Sequence, residues 1–509
     1  MGSFCIHASS HIGLEAAPVI VEIDISSGMP KFNIVGLPDA AINESKERVR
    51  AAIKNSGFTF PRTRVTVNLA PADIRKQGPV YDLPIAVGIL AATGVIEPWD
   101  LLTNSLILGE LSLQGKVRHA GGILLSALLA KEEKRTAVII PKENAREAGL
   151  VPDLDIVTVS SLNELVSIFQ EKRIQPYKRE ELREKQRSKA VCDMAQVKGQ
   201  QYVKRALEIA AAGGHNILLT GPPGSGKTLL ARTFPSILPK MNFEEAIEAT
   251  KIASISSGSK GISGLVETRP FRAPHHTSSS IALVGGGTWP KPGEVSLAHR
   301  GVLFLDEFPE FKRSAIENLR QPLEDGVVTI SRAAGTLEFP ARFTLVAAMN
   351  PCPCGYKTDP VHPCMCTPGQ IQKYQQKISG PLLDRIDLVV DVPRVDYETL
   401  ISNATAESSE KIRKRVQAAR DKQNKRHEHS TTTCNAELTS VEMKTFCALN
   451  KKETELMKIA VGKYHFSARA YTRILKVART IADLTGSEKI TVSHLAESIQ
   501  FRKINTKMP

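Results

Sequence analysis

The segment Gly221-Pro222-Pro223-Gly224-Ser225-Gly226-Lys227-Thr228 has the residue types and spacing to hold a chain of phosphates. Its glycines let the backbone curl so that several amides face one anion. Lys227 is placed to reach β- and γ-phosphates, and the Thr228 hydroxyl to ligate Mg2+. Downstream, Asp306 and Glu307 close the apolar run Val302-Leu-Phe-Leu305. Asp306 suits the shell of the metal, and Glu307 suits the polarising of an attacking water, a general-base task. The run from Arg342 to Met349 ends in the amide of Asn350, which could orient that water. Together these residues imply a Mg2+-dependent hydrolase of nucleoside triphosphates.

A second chemistry is written in cysteine. Cys352-Pro-Cys354 and Cys364-Met-Cys366, with Pro and Gly forcing turns between them, could wrap one tetrahedral Zn2+. One residue within each pair is tighter than the usual two, and His362 could replace one thiolate. Disulfides or free thiols are the alternative, and a reducing compartment disfavours the former. With every ligand position filled by protein, the metal would be structural. Cys5, Cys192, Cys434 and Cys447 are scattered and read as small buried hydrophobes. His275 and His276 have no second ligand pair at metal spacing, so packing or hydrogen bonding in a loop is expected. In the next Pro/Gly-rich stretch, Trp289 and Lys291 could touch a substrate or anchor the loop.

The phosphate segment needs a strand before it and a helix after it. Asn216–Thr220 supplies an apolar run and Leu229–Phe234 a helix opening, so a parallel α/β sheet is expected here. Residues 1–170 alternate strands (Val19–Ile25, Arg64–Leu69, Ser105–Leu108, Ala137–Ile140, Asp155–Val159) with helices such as Asn43–Ser56. Residues 171–190 read as a charged linker, 191–395 as the hydrolase core containing the cysteine segment 351–368, and 396–509 as a helical lid. Within the lid, helices are expected at Glu453–Tyr464, Ala468–Thr485 and Val492–Lys503. Val327–Phe339 alternates in and out around a Gly-containing turn and reads as a β-hairpin with Arg332 near its tip.

Composition adds a partner. The net charge of +14 is large, with basic runs at Lys172–Lys189 and Lys411–Arg426. Either run alone reads as a solvated face, but with the whole-chain excess a polyanion is favoured. An aromatic content of 5% speaks against an extensive base-stacking platform, so contacts to the phosphate backbone are expected. No long apolar stretch suggests a membrane span, and the first residues have neither a basic nor an apolar leader pattern, so a cytoplasmic location is expected.

The order of phosphate loop, acidic strand, Asn350, then Leu382-Leu-Asp-Arg385-Ile-Asp387 and Ser467-Ala-Arg469 resembles the AAA+ ATPases. The last two forms resemble the branch holding magnesium-chelatase motor subunits and replicative helicases. That resemblance implies ATP as the nucleotide, Arg385 as an arginine finger and Arg469 as a second sensor. It also places the hairpin where helicase-like members carry a pore loop, which makes Arg332 a candidate DNA contact. Further N-terminal, Gln77-Gly-Pro-Val-Tyr-Asp82-Leu-Pro-Ile-Ala86, Gly109–Gly115 and Gly121-Gly122 are similar to the proteolytic domain of Lon-type proteases. The Ser and Lys of that chemistry are missing, the second position reading Ile-Leu-Leu-Ser126, so a non-proteolytic Lon-like α+β domain is implied. With Phe32-Asn-Ile-Val-Gly-Leu-Pro38-Asp39, these forms resemble the ComM/YifB family of bacterial competence proteins. The resemblance implies a homo-oligomeric ring, a hexamer, that drives branch migration on single-stranded and branched DNA without sequence preference, in transformation and homologous recombination. A chelatase-type motor remodelling a partner protein is the alternative, and a protein unfoldase is disfavoured by the missing Ser and Lys.

Overall fold

A computed structural model describes residues 3–74, 76, 78–179, 192–257, 264–287, 291–332, 335–396, 398–399, 406–428, 430 and 432–502. The chain divides into two compact units, Met1–Arg183 with Ile247–Val266, and Glu184–Ala246 with Glu267–Pro509. The span expected as hydrolase core thus contributes a segment, 247–266, to the N-terminal unit. The expected core and lid otherwise fall in one unit. Most of the basic run at 172–189 lies outside the described residues, as does the larger part of the expected linker.

In the first unit, Val19, Val21, Ile23 and Ile25 alternate inward along the strand Glu15–Ser26, the period of two that a half-buried strand requires. This strand pairs antiparallel with Ser3–Ile12 and Arg64–Ala70 at the centre of a seven-stranded sheet. Lys31–Val35, Ser105–Ile107, Ala137–Pro141 and Asp155–Val159 extend it by parallel pairing. The helix Asp82–Ala92 is buried along nearly its whole length, so its apolar residues run all round it. Gly88 lets it lie on the sheet, since a Cβ there would stand 2.1 Å from Ile23 Cδ1. The helix expected from Asn43 begins at Ala40, because Asp39 caps it by accepting from the Ile42 amide at 2.8 Å.

Where a Lon-type nucleophile would stand, Val80 is buried and Asp82 is ion-paired to Arg48 at 2.8 Å. Burial nevertheless pushes the Asp82 carboxyl above its usual range. The Ser126 hydroxyl accepts from Ser9 at 2.8 Å and donates to the Gly122 carbonyl at 3.2 Å. Cys5 is exposed rather than buried, because it sits on the outward side of the strand Ser3–Ile12. Cys192 is partly exposed, whereas Cys434 and Cys447 are buried as expected.

The second unit is built on a five-stranded, all-parallel sheet in the order Phe271–Arg272, Val302–Leu305, Thr344–Met349, Ile217–Thr220, Leu388–Asp391. Its central strands are buried on both faces, which explains their unbroken apolar runs. The hairpin forms from Val327–Arg332 and Gly335–Pro340, with Arg332 opposite Gly335 at the turn end. Helices Lys451–Tyr464, Ala468–Thr485 and Val492–Gln500 follow the expectation, the last stopping short of Lys503. Ser467 starts the second by accepting from the Ala470 amide at 3.2 Å.

The basic run Lys411–Arg426 lies on the helix Ser409–Arg426, and much of its charge is paired inside the unit. Arg415 bonds Glu208 and Glu407, Arg426 bonds Asp483, and buried Arg420 donates to the carbonyls of Ala211 and Ala212. Arg415, Arg420 and Arg426 thus serve the fold, whereas Lys411, Lys414, Lys422 and Lys425 are exposed. A whole-chain charge excess does not say which cations face solvent.

Candidate active site

The phosphate loop leaves the strand Ile217–Thr220 and enters the helix Lys227–Thr233. Gly221 has no room for a side chain, since a Cβ would lie 2.3 Å from the Val392 carbonyl oxygen. Gly224 and Gly226 instead hold φ of +74° and +87°, which curls the loop around an open centre. Lys227 Nζ reaches the carbonyls of Gly221 and Pro222, both at 2.8 Å, and Asn350 Oδ1 at 3.2 Å. Burial pushes the Lys227 ammonium down to about 8, against the opposing pull of Asp306. The Thr228 hydroxyl donates to Asp306 Oδ2 at 2.7 Å. Lys227, Thr228, Asp306 and Asn350 therefore meet at the C-terminal end of the sheet. A charged amine in a half-dry cradle fits phosphates, and a hydroxyl beside a carboxylate fits Mg2+. When bound, the nucleotide supplies the phosphoanhydride and the metal neutralises its charge.

Glu307 stands beside this cluster in the left-handed region at φ +51°, its amide donating to Asp306 Oδ1 at 2.9 Å. Its Oε2 lies 3.2 Å from His276 Nδ1. The His276 ring packs against His275, tilted by 33° at 4.2 Å, and meets Phe311 edge-on. The loop role expected for His276 is thus a contact to the candidate base itself. Strand register could have revealed it: Phe271 pairs with Val302 and Arg272 with Leu303, and the same offset carried onward sets His276 beside Glu307.

Arg385 and Arg469 are brought together, but not at the phosphate loop. Arg385 precedes the strand Leu388–Asp391, at the N-terminal edge of the sheet. Its backbone is fixed by Asn216, whose Nδ2 donates to the Arg385 carbonyl at 3.1 Å. The guanidinium bonds Glu324 and the Pro381 carbonyl, and Arg469 lies 3.9 Å from the same Glu324. Four strand residues, about 13 Å, separate this edge from the end that carries Lys227. Burial and the nearby Arg469, Arg320 and Arg473 push the Arg385 guanidinium down, the signature of cations crowded with too few anions. Arg473, one turn after Arg469, has a different position. It pairs with buried Asp387 at 2.5 Å, and although burial raises that carboxyl, Arg473 and His215 together hold it well below the usual range. Both arginines line one cavity of about 510 Å³ with Arg300, Arg342 and Arg420.

The four thiols of Cys352, Cys354, Cys364 and Cys366 lie within 4.8 Å of one another. His362 is not among them, pairing with Asp359 and Arg394 instead. The Tyr356 amide leads in pulling the Cys354 thiol down, while burial pushes Cys352 up. Lys291 is exposed at one end of a two-residue ladder with Gly285–Gly286. Trp289 lies outside the described residues.

A parallel sheet in this order, with a phosphate loop, paired acids, an amide beside the lysine and arginines at the far edge, defines an AAA+ ATPase. Residues 193–400 match magnesium chelatase, subunit ChlI; residues 21–144 match the subunit ChlI of Mg-chelatase, and 406–502 the ChlI C-terminal region. The chain is 43% identical over 501 residues to the competence protein ComM of Haemophilus influenzae, covering 98% of this chain and 97% of that protein. It is 41% identical over 506 residues to YifB of Escherichia coli K12, with 98% and 97% covered. A shorter likeness, 28% over 161 residues, runs to the Lon protease of Chloroflexus aggregans, covering 29% of this chain and 19% of that enzyme. The chain belongs to the ComM/YifB family of magnesium-chelatase-like AAA+ ATPases.

Proposed function

We propose that this protein is a ring-forming, Mg2+-dependent ATPase that drives branch migration of DNA during recombination of incoming strands. The observation that carries the ring is the split site: Arg385 and Arg469 sit together at the sheet edge away from Lys227. They can complete only the ATP site of a neighbouring copy, and closed rotational symmetry gives every copy such a neighbour. A hexamer is the ring we favour. Within one copy, Lys227 and the loop from Gly221 to Gly226 bind the phosphates, Thr228 and Asp306 hold Mg2+, Glu307 takes the proton of the attacking water, and Asn350 orients it. Zn2+ held by the four thiols serves structure. The DNA reading is supported by the near full-length likeness to a competence protein, the net charge of +14 and the Val327–Pro340 hairpin carrying Arg332. Lys291 is a second candidate contact. Binding without sequence preference and weakening steeply with salt is expected of phosphate contacts.

The test is a three- or four-stranded DNA substrate incubated with ATP and the parental protein, alongside Lys227→Ala and Glu307→Gln. The parental protein should resolve the substrate. Lys227→Ala should fail to bind nucleotide, and Glu307→Gln should bind it without turnover. A parental protein that hydrolyses ATP but neither binds DNA nor responds to it would move the reading to a chelatase-type motor acting on a partner protein.

A further inference from the structure

We propose that the four-cysteine loop is a metal-dependent clamp on the phosphate loop, so that affinity for ATP follows occupancy of the Zn2+ site. The proposal rests on the zinc reading given above and adds a consequence for the nucleotide.

The sulfur geometry suits a tetrahedral metal. Cys352 Sγ lies 3.4 Å from Cys354 Sγ and 3.7 Å from Cys364 Sγ, and Cys354 Sγ lies 3.6 Å from Cys364 Sγ. A tetrahedral site with Zn–S bonds of about 2.3 Å sets sulfurs about 3.8 Å apart. A disulfide would bring two of them to about 2.05 Å. Beyond the thiols, the loop is held by little more than Asp359, which accepts from the amides of Val361 and His362 at 2.8 and 3.2 Å and pairs with Arg394 at 3.6 Å. Residues 351–367 form neither helix nor strand, and their apolar side chains Val361 and Met365 are 68% and 90% exposed. Without a core of its own, such a segment takes its folding energy from the metal.

What the metal fixes is in contact with the nucleotide site. The Gly355 amide closes a turn onto the Cys352 carbonyl at 3.0 Å, and Gly355 adopts φ +86°. It lies so close to the phosphate loop that a Cβ there would stand 2.6 Å from Pro223 Cδ and 3.7 Å from Asn350 Cγ. Asn350, two residues before Cys352, accepts from Lys227 Nζ. At the far end, Thr367 caps the helix Pro368–Gln375, whose Tyr374 hydroxyl engages the Asn350 backbone and whose Gln375 donates to the Pro351 carbonyl at 3.3 Å. One metal thus holds a loop that presses on Pro223 and sets the amide facing Lys227.

The experiment measures affinity for a fluorescent ATP analogue on full-length protein in excess Mg2+, as purified, after stripping with a zinc-selective chelator, and after Zn2+ is restored. Stripping should weaken binding about tenfold and Zn2+ should restore it. Gly355→Ala keeps all four thiols, so it should retain about one Zn2+ per chain yet bind the analogue about tenfold more weakly. Protein that carries no zinc as purified would overturn both the metal reading and the clamp. Protein that carries zinc and binds the analogue equally well without it would overturn the clamp and leave a merely structural metal. Should Gly355→Ala fail to fold, the stripping and restoration series decides alone.

Discussion

Lys227 donates to two carbonyls of its own loop and to Asn350, and its burial sets the pH range over which it works. Its ammonium titrates near 8, so it is charged below that pH and neutral above it. Bound triphosphate favours the charged form and raises the titration point. The sign follows: affinity for ATP is full below about pH 8 and falls as pH rises through it, with a proton taken up on binding. Titration calorimetry at pH 8.5 in buffers of different ionisation enthalpy should detect that uptake, and Lys227→Arg should abolish it. At Glu307 the restraint comes from His276, 3.2 Å away. A carboxylate held by this contact is less free to turn toward a water, so His276→Ala should raise DNA-independent turnover several-fold, in line with about 1 kcal/mol for one such contact. His276→Asn, which still carries an N–H donor, should return turnover toward the parental rate. Lys227, Thr228, Asp306 and Asn350 were legible in the sequence because their chemistry fixes residue types at the ends of apolar runs. The His276 contact was not, because it depends on the register between two parallel strands, which no local pattern records.

Helix Ser409–Arg426 separates charge in the sequence from charge at the surface. Its buried side chains, Ser409, Ile412, Val416, Ala419, Arg420 and Gln423, follow one helical face. Three of them are polar, so the stripe is broken in a reading that counts only apolar residues. Arg426 continues that stripe three residues after Gln423 and reaches buried Asp483, which Arg479 and Asn435 also bond. Arg426→Ala should therefore cost about 2 kcal/mol of stability, as expected for loss of a charge-assisted hydrogen bond, and leave the salt dependence of DNA binding unchanged. Thermal unfolding beside a binding series in salt checks both halves. The hairpin Val327–Pro340 was easier to read, since alternation around a Gly-containing turn is a local property. The Cys-x-Cys pairs were likewise legible as a cluster, but not the approach of Gly355 to Pro223, which arises only when the loop returns over the phosphate site.

At the scale of the whole molecule, the proposal that Arg385 acts on a neighbour's ATP site makes hydrolysis a property of an assembly. Arg385→Ala should abolish turnover while leaving each copy folded and able to bind ATP. Mixing it with Glu307→Gln should recover part of the activity, because some interfaces then join an intact finger to an intact base. Steady-state ATPase across mixing ratios measures this, and no recovery in mixed rings shown to form would exclude action between copies. The order of motifs suggested a finger at Arg385, whereas the edge of the sheet on which it lies could be read only from the structure. The same scale bears on residues 247–266, which pack with the N-terminal unit although the phosphate loop precedes them in the chain. Ser254 in this stretch donates to buried Glu147 at 2.7 Å, and Ile247 and Leu265 pack on that unit's core. On the ribosome, the N-terminal unit must then wait with an open flank until residue 266 has emerged. By that time the phosphate loop is already outside the exit tunnel, so the first unit in sequence is not finished before the second has begun.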